Sequence, residues 1–225
     1  MAKQVEECRR TRILDAAENA FADCGFNGAS MRDIVGGAGV NLATVYYYFG
    51  SKNGLMEAVL KRRFGPLRQE HLDVLRQFER AAKGRPLPVE KILEAMLLPP
   101  LRLLAAPAAK RLAVTRLMGR ILTEPDAQVQ EIVRGQRREL RVVFLKALQT
   151  SLPGVPVPDL QWSIEFVWGA LAFILCSPGK IQMETQGACN PGDAKKVLAE
   201  MVNFFSAGFR AAALRRKPKF NFSLA

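Results

Sequence analysis

Residues 26–57 read FNGASMRDIVGGAGVNLATVYYYFGSKNGLME. The pattern is two short helices about a tight turn, then an aromatic run and a helix start that carries a lysine. Ser30 is a favoured N-cap residue, and Asp33 three positions on suits the positive amino end of a helix. That helix buries Ile34 and Val35 and stops in Gly36-Gly37-Ala38-Gly39. Ala38 is small enough for two helices meeting at a sharp angle, and Gly39 accepts the left-handed conformation that the turn needs. Val40 returns to the core. Asn41 caps a third helix, Leu42 to Tyr48, on which Val45 and Phe49 lie four apart and share a buried face. Ser51 caps a fourth.

The amino end of the third helix carries short side chains. In a helix-turn-helix, such positions face base edges in the major groove of DNA. Leu42, Ala43 and the Thr44 methyl suit thymine methyl groups, and the Thr44 hydroxyl can donate or accept a hydrogen bond. Tyr46, Tyr47 and Tyr48 are the three tyrosines of the chain. Successive helical residues point about 100° apart, so the three cannot share one direction. At least one is expected to be half-buried, and the others to bond phosphate or pack on sugar. Lys52, in the first turn of the next helix, adds charge to the exposed N–H groups there and makes a phosphate clamp. Arg32 is placed to reach a phosphate or a guanine edge.

Upstream, Ile13, Ala17, Ala20, Phe21 and Cys24 form one apolar helix face, which Gly25 is expected to end. Downstream, Pro66 is expected to kink or break the fourth helix, with a helical pattern resuming over 67–82. Further helices are predicted over 89–106 (interrupted at Pro99-Pro100), 110–123, 126–152, 159–176 and 193–216. The Pro/Gly clusters at 84–88, 153–158 and 178–192 read as loops. Strand-like alternation is missing, so the fold class is all-α. His71, alone on a charged stretch, is expected to be an exposed helix residue.

Composition narrows the function. The 225 residues are 49% hydrophobic, enough for a sizeable core. No uncharged apolar run reaches the 18 or so residues of a membrane span, and the opening MAKQVEECRRTR lacks the apolar segment of a signal peptide. A cytoplasmic protein without membrane contact is expected. Cys8, Cys24, Cys176 and Cys189 form no CxxC pair and there is one histidine, so neither a metal nor a cofactor is expected. No catalytic Ser/His/Asp set, carboxylate pair or phosphate loop is visible, and an enzyme is not expected. The net charge is +12, yet residues 1–63 carry nine basic and seven acidic side chains and the remaining excess of +10 lies outside them. The case for DNA therefore rests on the motif. A non-specific architectural DNA-binding protein is the alternative that the charge favours.

The segment resembles the amino-terminal domain of the tetracycline-repressor (TetR) family of bacterial transcription regulators. The matching residues are Ile13-Leu14-Asp15-Ala16-Ala17, Phe21, Gly25-Phe26, Ser30-Met31-Arg32-Asp33-Ile34, Ala38-Gly39-Val40, Val45-Tyr46-Tyr47-Tyr48-Phe49 and Ser51-Lys52-Asn53-Gly54-Leu55. Gly36-Gly37 departs from the family's Ala-plus-polar pair, which softens that helix, since a glycine there costs roughly 1 kcal/mol against alanine. Leu42 and Ala43 replace commoner small polar and glycine residues, so the operator need not match a relative's. The resemblance implies base-proximal roles for Arg32, Leu42, Ala43, Thr44 and Tyr47, and backbone contacts by Ser30, Tyr46, Tyr48 and Lys52.

It also implies two domains: a three-helix helix-turn-helix DNA-binding domain over 8–66, and a larger helical effector-binding and dimerisation domain over 67–225. Such a protein is a repressor released from palindromic double-stranded operator DNA by a small molecule. Helices near 160–176 and 193–216 are broadly apolar and are expected to form the homodimer. Pocket candidates are Met96, Leu97, Leu101, Leu104, Leu117, Met118, Ile121, Phe144, Trp168 and Phe173, with Arg102, Arg116 and Arg120 for an anionic head group. The sequence does not separate pocket from core among them. A basic domain with an apolar interior favours an amphipathic effector such as a fatty acid or acyl thioester.

Overall fold

The computed structural model describes residues 2–106 and 108–214. Ten α-helices follow in order: α1 (Ala2–Gly28), α2 (Met31–Ala38), α3 (Leu42–Phe49), α4 (Lys52–Ala82), α5 (Val89–Leu101), α6 (Ala108–Thr123), α7 (Ala127–Ser151), α8 (Val157–Cys176), α9 (Pro178–Glu184) and α10 (Ala194–Leu214). A 3-10 turn, Arg102–Ala105, follows α5. No strand occurs among the described residues, and the fold is all-α as the sequence requires.

Two apolar cores hold the helices. The first gathers Ile13, Phe21, Ile34, Val45, Leu55 and Leu60 from α1 to α4, together with Leu117 and Ile121 of α6 and Val129 of α7. The second gathers Leu75, Ile92, Met96, Phe144, Leu160, Leu171 and Phe209 from α4, α5, α7, α8 and α10. A buried ionic cluster reinforces the first. Glu18 is 2% exposed and bonds the guanidinium groups of Arg62 and Arg63 on α4, while Arg62 also reaches Asp15 at 2.8 Å.

Gly25 interrupts the regular helix as expected, with φ 72°, and a further short helical stretch to Gly28 follows the kink. The Phe26 N–H that the kink frees donates to Glu124 Oε2 at 3.0 Å, a partner 98 positions away that no local pattern reveals. Three boundaries differ from the sequence expectation. Pro66 does not end α4, which is helical on both sides of it. The adjoining turns are anchored in the two cores by Val59 and Leu60 before it and by Val74 and Leu75 after it. That burial outweighs the ~3 kcal/mol an internal proline costs. Pro99 and Pro100 are likewise buried near the end of α5 rather than interrupting it. Finally, α9 occupies part of the stretch read as a loop, started by Pro178 in its first turn, where a proline's missing N–H costs nothing.

Candidate nucleic-acid interface and effector cavity

The reading face is assembled by caps. Ser30 Oγ accepts from the Asp33 N–H at 3.0 Å and donates to Asp33 Oδ2 at 2.6 Å. Gly39 ends α2 in the left-handed region, φ 60°. Asn41 Oδ1 accepts from both the N–H (2.8 Å) and the hydroxyl (2.7 Å) of Thr44. With its hydroxyl donating to Asn41, Thr44 keeps acceptor lone pairs and its methyl for a partner. Ser51 Oγ accepts from the Gly54 N–H at 3.0 Å and opens α4. A Cβ at Gly54 would sit 2.1 Å from the Phe49 carbonyl oxygen, so glycine is what lets α4 begin this close to the end of α3.

These caps leave one surface lined with the sequence-derived candidates. Arg32, Leu42 and Ala43 are exposed, Tyr46 is exposed, and Tyr47 protrudes at 78% exposure. Tyr48 is the half-buried one, edge-on to Tyr47 and tilted against Phe49. Lys52 is half-buried with its ammonium 4.7 Å over the Phe26 ring, within the first turn of α4. Behind this surface Val45 is buried and Phe49 packs beside it.

The second site is a cavity of about 410 Å³ between α4, α5, α6, α7 and α8. Its apolar wall includes Leu60, Phe64, Pro100, Met118, Ile121 and Leu171, and its polar groups include Arg68, His71, Gln130, Gln136, Arg137, Arg141 and Glu165. Leu60 and Ile121 belong to the core beneath the reading face, and Phe64 and Val133 pack against that core. One wall of the cavity is thus the back of the reading unit's own core.

The sequence-derived pocket residues divide. Met118, Ile121 and Trp168 line the cavity. Met96, Leu97, Leu101, Leu104 and Phe144 are buried in the second core, and Leu117 in the first, none of them on the lining. Phe173 faces outward. The three arginines are engaged elsewhere. Arg102 pairs with Glu70 and Arg116 with Asp23, while Arg120 donates to the Asp23 and Ala22 carbonyls at 2.7 and 3.4 Å. Arg116, Arg120 and Glu124 therefore tie α6 and its end to the kinked end of α1.

His71 corrects the expectation of exposure. It is 2% exposed, packs edge-on to Phe144 and Trp168, and its Nδ1 lies 2.9 Å from the Ala95 carbonyl. A carbonyl only accepts, so Nδ1 carries the proton. Burial pushes the imidazole from 6.5 down to about 4, against smaller opposing effects of that carbonyl and Glu70. Burial also draws the Arg137 guanidinium below its ordinary value, opposed by Glu165 and assisted by Arg141. The sequence reading missed Arg68, His71, Arg137, Arg141 and Glu165 as cavity residues. The usable signal was on α7, where Gln130, Val133, Arg137, Leu140 and Arg141 recur on one face at helical spacing.

Comparison with known proteins gives two family matches. Residues 13–59 match the family described as "Bacterial regulatory proteins, tetR family", and residues 94–208 match "Tetracyclin repressor-like, C-terminal domain". The chain is 41% identical over 51 residues to the HTH-type transcriptional regulator UidR of Escherichia coli, covering 23% of this chain and 26% of that protein. It is 32% identical over 85 residues to the regulator BetI of Cronobacter sakazakii, 38% of this chain and 37% of that one. These likenesses thus span well under half of the relatives' lengths. Among solved structures, NalD of Pseudomonas aeruginosa, described as the secondary repressor of the MexAB-OprM multidrug efflux pump, superimposes with a TM-score of 0.58 at 22% identity, over 89% of this chain and 96% of its own. At that identity the likeness is one of fold.

Proposed function

The chain belongs to the TetR family of bacterial transcriptional regulators, and from that premise we propose that it is a homodimeric repressor released from a palindromic operator when a small apolar or amphipathic effector enters the cavity. Arg32, Leu42, Ala43, Thr44 and Tyr47 would read base edges, and Ser30, Tyr46, Tyr48 and Lys52 would hold the backbone. The division into a reading unit over 8–66 and an effector and dimerisation unit over 67–225 is part of this proposal. It is a functional division, since α4 crosses residue 66 without a break.

The observation that carries the release step is the shared wall. Leu60 and Ile121 line the cavity and belong to the core under α3. An effector that repacks them favours a different seating of the reading unit, and a ligand that distinguishes two seatings shifts the balance between them.

Dimerisation is supported by the outward stripe on α8. Trp162, Phe166, Gly169 and Phe173 recur at helical spacing and are exposed, with Trp162 at 64%; α10 adds Phe204 at 75%. By length and composition alone α8 and α10 could also cross a membrane. Yet Leu160, Ile164, Val167, Leu171 and Leu175 seat α8 in the second core, so a single face is left to cover, which suits a second copy better than lipid. Two reading heads set about 34 Å apart, or a multiple of it, then read a two-fold site.

Selection of bound sequences from random DNA tests this. A palindrome with a fixed half-site spacing is expected. Tyr47→Ala should weaken binding to that site by roughly tenfold or more with the melting temperature unchanged, because the side chain packs on little of its own protein. Equal affinity for every sequence would instead identify the architectural binder.

A further inference from the structure

We infer that the effector is an amphiphile with a single negative charge, a straight-chain carboxylate, and that Arg137 is the residue that receives its head group. This rests on the effector-cavity reading above and goes further by assigning charge and orientation.

The charge count on the lining leads to it. Four ionic side chains face the cavity: Arg68, Arg137, Arg141 and Glu165. Arg68 has Glu139 at 3.5 Å outside the lining. Arg141 has Glu165, whose Oε1 lies 2.7 Å from Arg141 Nη1. Arg137 has no carboxylate within ion-pair distance among the described residues; its guanidinium stands over the Trp168 ring at 5.9 Å. Glu165 acts on it from beyond ion-pair distance, and that carboxylate is already engaged by Arg141. A half-buried guanidinium without an ion-pair partner of its own is unfavourable, and an aromatic face offsets part of that cost and no more. The lining is therefore short of one negative charge.

Shape supplies the rest. Leu60, Phe64, Pro100, Met118, Ile121 and Leu171 offer a tail an apolar wall without formal charge. The neutral amide of Gln136, on the same helix as Arg137, adds donors, whereas Gln130 Nε2 is already committed to the Ile121 and Glu124 carbonyls. Arg137 presents a planar fork that matches a carboxylate with two parallel N–H···O bonds. A head group seated there lies beside Trp168, which in turn packs against His71, while the tail runs toward Leu60 and Ile121, the pair shared with the reading core. A cationic amphiphile would add to the uncompensated charge, and a neutral one would leave it unpaired.

Calorimetric titration of the full-length protein with decanoate, decan-1-ol and decyltrimethylammonium tests the assignment. Decanoate is expected to bind roughly tenfold or more tighter than decan-1-ol, as a charge-assisted hydrogen bond in a buried site gives, and the cation weaker than either. Arg137→Met should abolish the carboxylate preference, so that decanoate and decan-1-ol bind alike, and a cooperative melting transition shows that the variant folds. Arg137→Lys should restore part of that preference. Without ligand, Arg137→Met should melt no lower than the unaltered protein, since it removes an unpaired charge. Equal affinity for decanoate and decan-1-ol, or an equal loss of both in Arg137→Met, overturns the head-group assignment while leaving the effector cavity standing. If none of the three probes alters the fluorescence of the two tryptophans or the melting temperature, the effector-cavity reading fails and this inference with it.

Discussion

The reading unit and the helical body around the cavity are built by different rules. In the reading unit, function follows from contacts three residues long. Ser30 holds Asp33, Asn41 holds Thr44 and Ser51 holds Gly54, and these three bonds aim α2, α3 and the start of α4. In the body, the same residue types mean little until the helices meet. His71 finds its carbonyl 24 positions away on α5 and its aromatic neighbours on α7 and α8. The first kind of structure can be read along the chain; the second is decided by which faces end up opposite one another.

The largest expected effect tests whether the body's chemistry is its own. The folded His71 imidazole titrates near 4 and an unfolded one near 6.5. The native state thus resists a proton that the unfolded chain accepts. Its contribution is constant above pH 6.5, falls as pH drops from there toward 4, and amounts to roughly 3 kcal/mol over that window. Chemical denaturation across pH 4–7 should show this fall, and His71→Gln should lack it. The chain has a single histidine, so the difference between the two proteins belongs to the body alone. Parallel pH profiles would mean that the ring is far wetter than its packing indicates.

Two glycines in the reading unit test the opposite proposition, that local geometry decides there. Gly54→Ala forces a Cβ against the Phe49 carbonyl oxygen. Overpacking of this kind costs about 1–3 kcal/mol and should shift α3 against α4, so DNA affinity is expected to fall along with the melting temperature. Unchanged DNA binding at lowered stability would separate the α3–α4 junction from reading. The smallest effect has the other sign. Gly36 lies in α2 with nothing within 4 Å of an added Cβ. Gly36→Ala is expected to stabilise the protein by about 0.5–1 kcal/mol, since alanine loses less backbone freedom in a helix. A lower melting temperature there would show that α2 needs its softness.

The same contrast explains what was legible in the sequence. The turn at Ala38-Gly39, the three caps and the splitting of the tyrosine run between buried and outward directions follow from residue type and spacing; which tyrosine is the half-buried one does not. The partner of the N–H freed at the Gly25 break does not, because Glu124 lies 98 positions away. The continuity of α4 across Pro66 does not either, because it depends on two cores holding the turns to each side. In the cavity the sequence supplied the right ingredients and the wrong arginines. Arg102, Arg116 and Arg120 are taken up by Glu70, Asp23 and the carbonyls of α1, which left Arg137 for the interior. Which arginine is spare is a property of the assembled set of ion pairs, and no single helix carries it.

The unbroken passage of α4 through Pro66 has a mechanical consequence. From His71 at the cavity to Lys52 at the reading face is 19 residues of one helix, about 28 Å at 1.5 Å per residue. Pivoted near His71, such a lever needs a tilt of only about 7° to carry its far end through roughly 3.4 Å, the rise of one base pair. On the proposed release mechanism, a rearrangement in the cavity no larger than a side-chain repacking would become, at the other end of the same helix, a full step out of register on the duplex.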